Sequence, residues 1–196
     1  MVEARVGDGK SKFTVVSEKL LVISYNYFIV NSTGNKELHR IATTCIIYKD
    51  GKYLITRRSL KKKAFPGMWH VPGGGLSTDD YMGSPAMNTK GEETPDHPQW
   101  YFALEKTLRR EVKEEVGLEI GKPIYLLDLT FVHPDGTPVL VLSYYAPYVS
   151  GEVVLDEDTI DAKWVTAEEA HSYDLIKGID EEIDMVDTIL KSRVHP

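Results

Sequence analysis

Apolar residues along the chain keep two different periods, and the changes between them mark out its elements. In 19–30 the β-branched and aromatic residues Val22, Ile23, Tyr25, Tyr27, Phe28, Ile29 and Val30 predict a strand, which Asn31-Ser32-Thr33-Gly34-Asn35 closes with turn residues. A second strand is expected over 38–48 and a third from Tyr53 to Arg57 or Arg58. Lys49-Asp50-Gly51 between them reads as a hairpin turn. Further strands are expected at 124–132 and 139–148, flanking the turn His133-Pro134-Asp135-Gly136-Thr137, and a short one at 162–165. The period lengthens at 98–116, which predicts a helix with Gly117 at its C-terminal cap, and again at 167–173 and 179–192. Asp96 is the expected cap of the helix at 98–116, with Pro98 in its first turn.

The central helix carries the least ordinary pattern. At about 100° per residue, with Leu104 at zero, Leu108 lies near +40°, Glu115 near +20°, Glu111 near −20° and Glu114 near −80°. A solvated helix would set its glutamates opposite its leucines, with i,i+4 ion pairs on the outer face. Here Glu111 and Glu115 continue the apolar stripe and are carried inward, where an unpaired carboxylate is costly. A divalent cation is the economical partner, because magnesium binds through a few carboxylates and phosphate oxygens while keeping part of its water.

Before this helix stands Phe65-Pro66-Gly67-Met68-Trp69-His70-Val71-Pro72-Gly73-Gly74-Gly75-Leu76. Glycines beside a proline let the backbone turn sharply and leave its peptide groups open to phosphate or metal. Between the glycines and the helix, 77–97 is polar, without clear period, and too long for an ordinary connection, so it reads as an insertion. Residues 1–17 read as a loose extension, and 18–196 as a single domain.

Composition narrows the partners. A chain of 196 residues with 42% hydrophobic and 27% charged residues suits one well-buried domain. A formal charge of −7 argues against a general nucleic-acid binder. The single cysteine, Cys45, excludes an internal disulfide and reads as a small buried hydrophobe. No signal-peptide order is visible at the start, and the longest apolar run, 20–30, is too short to span a bilayer, so a cytoplasmic protein without membrane contact is expected.

Arg110-Glu111-Val112-Lys113-Glu114-Glu115-Val116-Gly117-Leu118 matches the second half of the Nudix box at every specified position, and Trp69-His70-Val71-Pro72-Gly73-Gly74 resembles the strand and glycine turn before it. Ala162-Lys163-Trp164-Val165 with Glu168-Glu169 is similar to the closing strand and helix of such domains. The resemblance covers about 40–175. It implies an α/β fold, a Nudix-type α/β/α sandwich on a mixed β-sheet, and magnesium- or manganese-dependent hydrolysis of a nucleoside diphosphate derivative. By this resemblance Glu111, Glu114, Glu115 and the Gly73 carbonyl would bind metal, and Arg110 would orient a glutamate. Glu157 is the first candidate general base, followed by Asp158 or Asp161. The box's first glutamate is displaced by the insertion: counting back from Arg110 gives Phe102, counting on from Gly74 gives Asp80, and Glu92 and Glu93 are further alternatives.

Arg57 and Arg58, at the end of a strand facing the box, are candidates for phosphate contact, and Trp69 for stacking on a base. Pro134, sixteen residues beyond Leu118, resembles a spacing found in ADP-ribose hydrolases of the family. A non-catalytic nucleotide-binding module is the competing reading, and homodimerisation fits the family's habit.

Overall fold

The structure, a computed structural model, describes residues 29–30, 36–87 and 97–194. Its elements are β1 (Ile29–Val30), β2 (Lys36–Glu37), β3 (Arg40–Lys49), β4 (Lys52–Arg58), β5 (Trp69–His70), β6 (Gly73–Gly75), α1 (Asp79–Met82), α2 (Ala103–Val116), β7 (Glu119–Ile120), β8 (Ile124–Val132), β9 (Pro138–Ser150), β10 (Thr159–Val165), α3 (Ala167–Ala170) and α4 (Ile179–Val194). The main path of the sheet runs β10-β4-β3-β9-β7, with β3 and β9 parallel and the other pairs antiparallel. This is a mixed α/β sheet.

Alternation along β3 and β4 sorts their side chains between two cores. Cys45, Ile47 and Leu54 turn to one face, where they meet Leu108, Val112 and Val116 of α2. Ile46, Tyr53 and Ile55 turn to the other, where Ile179, Ile183 and Val186 of α4 cover them. A helix therefore lies on each face, and each fully buried Leu, Ile or Val side chain stabilises the sandwich by about 1.5–3 kcal/mol relative to exposure.

One irregularity positions everything that follows. β3 and β4 pair only near their turn, at Tyr48 with Tyr53 and Lys49 with Lys52. Beyond that they separate, and residues 69–75 enter the split, first as β5 beside β4 and then as β6 beside β3. The glycine run expected as a turn is thus a strand, held in the middle of the sheet.

Other expectations need adjusting. Phe102 adopts a left-handed conformation, φ 61°, and is 74% exposed, so α2 starts at Ala103 and not at residue 98. Its N-cap makes no side-chain hydrogen bond, and the expected cap, Asp96, lies outside the described residues. The helix expected at 167–173 is a single turn, closed by the Thr166–Glu169 capping box. Of the strand expected at 19–30, only Ile29–Val30 falls within the described residues, where it pairs with β2. The proposed extension at 1–17 lies outside them. Among the described residues no helix is long and apolar enough to cross a membrane.

Candidate active site

The register of the glycine strand decides which way its backbone faces. The Cys45 N–H donates to the Pro72 carbonyl (2.8 Å), and the Leu76 N–H donates to the Ile41 carbonyl (2.9 Å). Ladder hydrogen bonds fall on alternate residues of an antiparallel pair, so the peptide groups of Gly73 and Gly75 turn the other way, toward α2. The Gly73 N–H donates to Glu115 Oε2 at 2.9 Å, and the Gly75 carbonyl accepts from Arg110 at 3.4 Å. Alternation gives the Gly73 carbonyl that same direction.

Two of these glycines are required for different reasons. A Cβ at Gly73, whose φ is 158°, would lie 2.2 Å from the Thr43 carbonyl oxygen, so strand pairing itself excludes a side chain. A Cβ at Gly74 would lie 2.2 Å from Glu111 Cδ, so this glycine's missing side chain is the space the carboxylate occupies.

Helix α2 presents its acids in graded exposure. Leu108, Val112 and Val116 are fully buried, and Glu111, 16% exposed, and Glu115 lie beside them along the glycine strand. Glu114 is 58% exposed at the rim. Burial pushes the Glu115 carboxyl up to about 7, against the Gly73 N–H, while the charges of Glu111 and Asp156 push it further and Arg58 opposes them. Glu111 is likewise raised by burial, with Arg110 opposing.

Arg110 joins the acids from the other side. It donates to Asp80 through Nε at 2.5 Å and Nη2 at 3.1 Å, and its Nη1 lies 2.9 Å from both Glu111 Oε1 and Glu114 Oε2. Asp80, with a side chain 2% exposed, also accepts from the Ser77 N–H and the Thr107 hydroxyl. Burial raises its carboxyl, but these donors outweigh burial and hold it down to about 2. Of the residues open for the displaced glutamate, the structure thus brings Asp80 to Arg110. Phe102 faces solvent, and Glu92 and Glu93 lie outside the described residues.

On the α4 face of the sheet, next to the glycine strand, lies a cavity of about 510 Å³. Its walls are largely apolar, with Phe65, Met68, Leu129, Phe131 and Val141 among them, and its charged groups include Arg40, Arg58 and Lys177. A second groove, on the far side of Gly75, is lined by Arg110, Glu111 and Glu114. Arg40 borders both.

A sequence profile of the NUDIX domain matches residues 96–185. Isopentenyl-diphosphate Delta-isomerase of Salmonella arizonae is 29% identical over 155 residues, covering 75% of this chain and 69% of that protein. Nucleoside triphosphatase NudI of Klebsiella pneumoniae is 26% identical over 140 residues, covering 66% of this chain and 84% of that protein. The crystal structure of a MutT protein from Methanosarcina mazei Go1 superposes with a TM-score of 0.56 at 22% identity, over 79% of this chain and 97% of that one. The matched stretch takes in the whole of α2 with its glutamates, and there the chain is similar to the NUDIX domain.

The other candidates separate. Arg58 lines the cavity, half-buried, with Nε donating to the Ala64 carbonyl at 3.1 Å. Arg57 is exposed and donates to the Gly67 carbonyl instead, tying down the preceding loop. Trp69 is 7% exposed in the core, packed edge-on against Tyr173 at 5.0 Å, so the structure places it away from the cavity lining. Glu157 is exposed in its turn, Asp158 is paired with Lys62, and Asp161 lies on β10. Asp156, in the same acidic turn and not singled out from sequence, is the one of these whose charge acts on Glu115. Arg40 also went unmarked, since a lone arginine opening a strand has no pattern of its own. Cys45 is fully buried, its thiol raised by burial.

Among the described residues no three His, Cys, Asp or Glu side chains are gathered closely enough to hold a metal by themselves. The donor set that the Nudix box does present is Glu111, Glu115 and the outward edge of Gly73. It fits a hard cation that takes one or two carboxylates and fills its shell with water and phosphate oxygens.

Proposed function

We propose that this protein is a Nudix-type, divalent-metal-dependent hydrolase, magnesium being the first candidate and manganese the second, that cleaves a diphosphate linkage in a nucleoside diphosphate derivative. The observation that carries the reading is Glu115: a nearly buried carboxylate, beside a second one, whose hydrogen-bond donor among the described residues is a single backbone N–H. Two such carboxylates side by side repel each other once ionised, and a cation between them and the substrate would relieve that repulsion.

Glu111 and Glu115, with the Gly73 carbonyl, would hold the ion, and Glu114 would reach it through water from the rim. A bound divalent ion supplies charge neutralisation at phosphate and a more acidic water. Arg110, fixed by Asp80, keeps Glu111 and Glu114 from turning away, and its remaining positive charge faces the groove. Arg58 and Arg40 flank the glycine strand and draw the phosphates to it. Asp156 replaces Glu157 as the first candidate general base, because its charge reaches the buried carboxylate.

The nucleoside would occupy the 510 Å³ cavity, which lies within the roughly 300–1,000 Å³ range of small-molecule sites. The similarity to a nucleoside triphosphatase supports a nucleotide. The similarity to an isomerase of isopentenyl diphosphate, together with the apolar walls, supports a second reading in which the diphosphate carries an apolar alcohol.

A hydrolysis screen with magnesium over nucleoside triphosphates, ADP-ribose, nucleotide sugars, dinucleoside polyphosphates and prenyl diphosphates tests both. Turnover of a nucleotide, lost in Glu115→Gln with the fold intact, is expected. Full activity in Glu115→Gln would overturn the assignment, and tight nucleotide binding without turnover would point to a regulatory module.

A further inference from the structure

The cavity contains a charged group that hydrolysis does not use. Glu182, in the first turn of α4, is 6% exposed and lines the cavity that Gly73, Gly74 and Gly75 also border. Burial raises its carboxyl and a hydrogen bond from Ser143 lowers it, and no cation is paired with it among the described residues. Ser143 Oγ also lies 2.9 Å from Thr44 Oγ1. A serine hydroxyl has one proton, so when Ser143 donates to Glu182, Thr44 must donate to Ser143. With Ser143 turned to the carboxylate, the two hydroxyls would form a chain in which each bond polarises the next.

Such a chain would steady the carboxylate, and among the described residues it leaves Glu182 short of donors. Two carboxylate oxygens have about four lone-pair positions, and Ser143 fills one. A carboxylate with unfilled acceptors in an apolar enclosure is costly by itself. The apolar cluster on this face would be served better by leucine at position 182, because Ile179, Ile183 and Val186 of the same helix already pack there. A carboxylate is retained at a ligand cavity where a ligand supplies the missing donors.

We propose that Glu182 selects the base: its carboxylate, steadied by Thr44 and Ser143, receives adjacent N–H donors from a guanine-type edge, the ring N–H and exocyclic amine together. This rests on the nucleotide reading above, and deepens it from a nucleoside diphosphate derivative to one whose base presents paired donors. Planar carboxylate and paired N–H groups match as two parallel hydrogen bonds. The phosphates lie toward the glycine strand and the base toward α4, so recognition and cleavage occupy opposite ends of the ligand.

The test compares guanosine with inosine ligands, which differ only by the exocyclic amine. Binding of α,β-methylene GDP and of its inosine counterpart is measured by calorimetry on the full chain, without need of turnover. The wild type should favour the guanosine ligand by about tenfold or more, the usual worth of one well-placed base contact. Glu182→Gln, which keeps shape and hydroxyl bond but loses charge, should reduce the ratio, and Glu182→Met should bring it close to one. Thermal unfolding of both variants checks that the fold stands; the neutral side chains relieve a buried charge. An unchanged ratio in Glu182→Met, or an inosine preference in the wild type, would overturn the role of Glu182. Failure of both nucleotides to bind would overturn the role of Glu182; hydrolysis of an adenine or pyrimidine nucleotide in the same preparation would leave the nucleotide reading standing, and hydrolysis of a prenyl diphosphate in place of any nucleotide would overturn it.

Discussion

Asp80 is the residue whose role depends most on distance folded away. It stands thirty residues before Arg110, yet its carboxylate takes two of the guanidinium's hydrogen bonds and is the most deeply buried acid around that arginine. Removing one partner from such a pair leaves the other unsatisfied. Asp80→Asn should therefore cost about 2–3 kcal/mol in urea unfolding. It should also lower kcat/KM by about ten- to hundredfold, because groups that orient metal-binding side chains have effects of that size. Equal activity in mutant and wild type would show that Arg110 needs no anchor. Counting along the chain left Asp80 and Phe102 equal, because spacing measures the length of an insertion and says nothing of where its ends return. Glu111 and Glu115 were legible without the structure, since three residues of helix between them fix their common side.

The elements that make the site are one helix and one short strand, and their contact is made by absent side chains. Gly73 abuts backbone and Gly74 abuts a flexible carboxylate, so the two positions should respond differently to a methyl group. Gly73→Ala should destabilise the fold by separating β6 from β3, at a cost of about 1–3 kcal/mol, the usual range for overpacking. Gly74→Ala should leave the melting temperature within a few degrees and displace Glu111, lowering activity by at least about tenfold. The pair is read by thermal unfolding beside steady-state kinetics; a matching loss of stability in both would contradict this division. That the glycines form a strand was not legible, because glycine has low strand propensity and only the split between β3 and β4 places it there. The start of α2 also differs from its local pattern: Phe102 adopts a left-handed conformation, so the helix begins only after it, at Ala103.

Across the whole molecule, the carboxylates tie stability to pH and metal. Glu115 keeps its proton to about 7 in the folded chain, while an ordinary glutamate releases it near 4.5. Between those values the folded state binds more protons than the unfolded one, so without metal stability should fall as pH rises from about 4.5 to about 7 and then level. Asp80 works in the opposite sense and lower: its contribution is full above 3.8 and fades toward about 2, outside that window. A metal held as proposed would bind the ionised form, so the rise in Tm produced by magnesium should be larger at pH 7.5 than at pH 5, and small in Glu115→Gln. Melting curves at pH 5, 6 and 7.5 with and without magnesium decide this; a metal effect independent of pH would show that the ion does not engage Glu115. By itself the sequence determined the order of the longer strands and helices and the inward direction of Glu111 and Glu115, because each follows from period and short-range spacing. Tertiary structure alone decided that Asp80 meets Arg110, that Arg57 and Trp69 stand apart from the cavity while Arg58 and Arg40 border it, and that Glu182 lines the same cavity as the glycines. Those relations are set by how distant segments close on one sheet, and no local pattern encodes a distance between them.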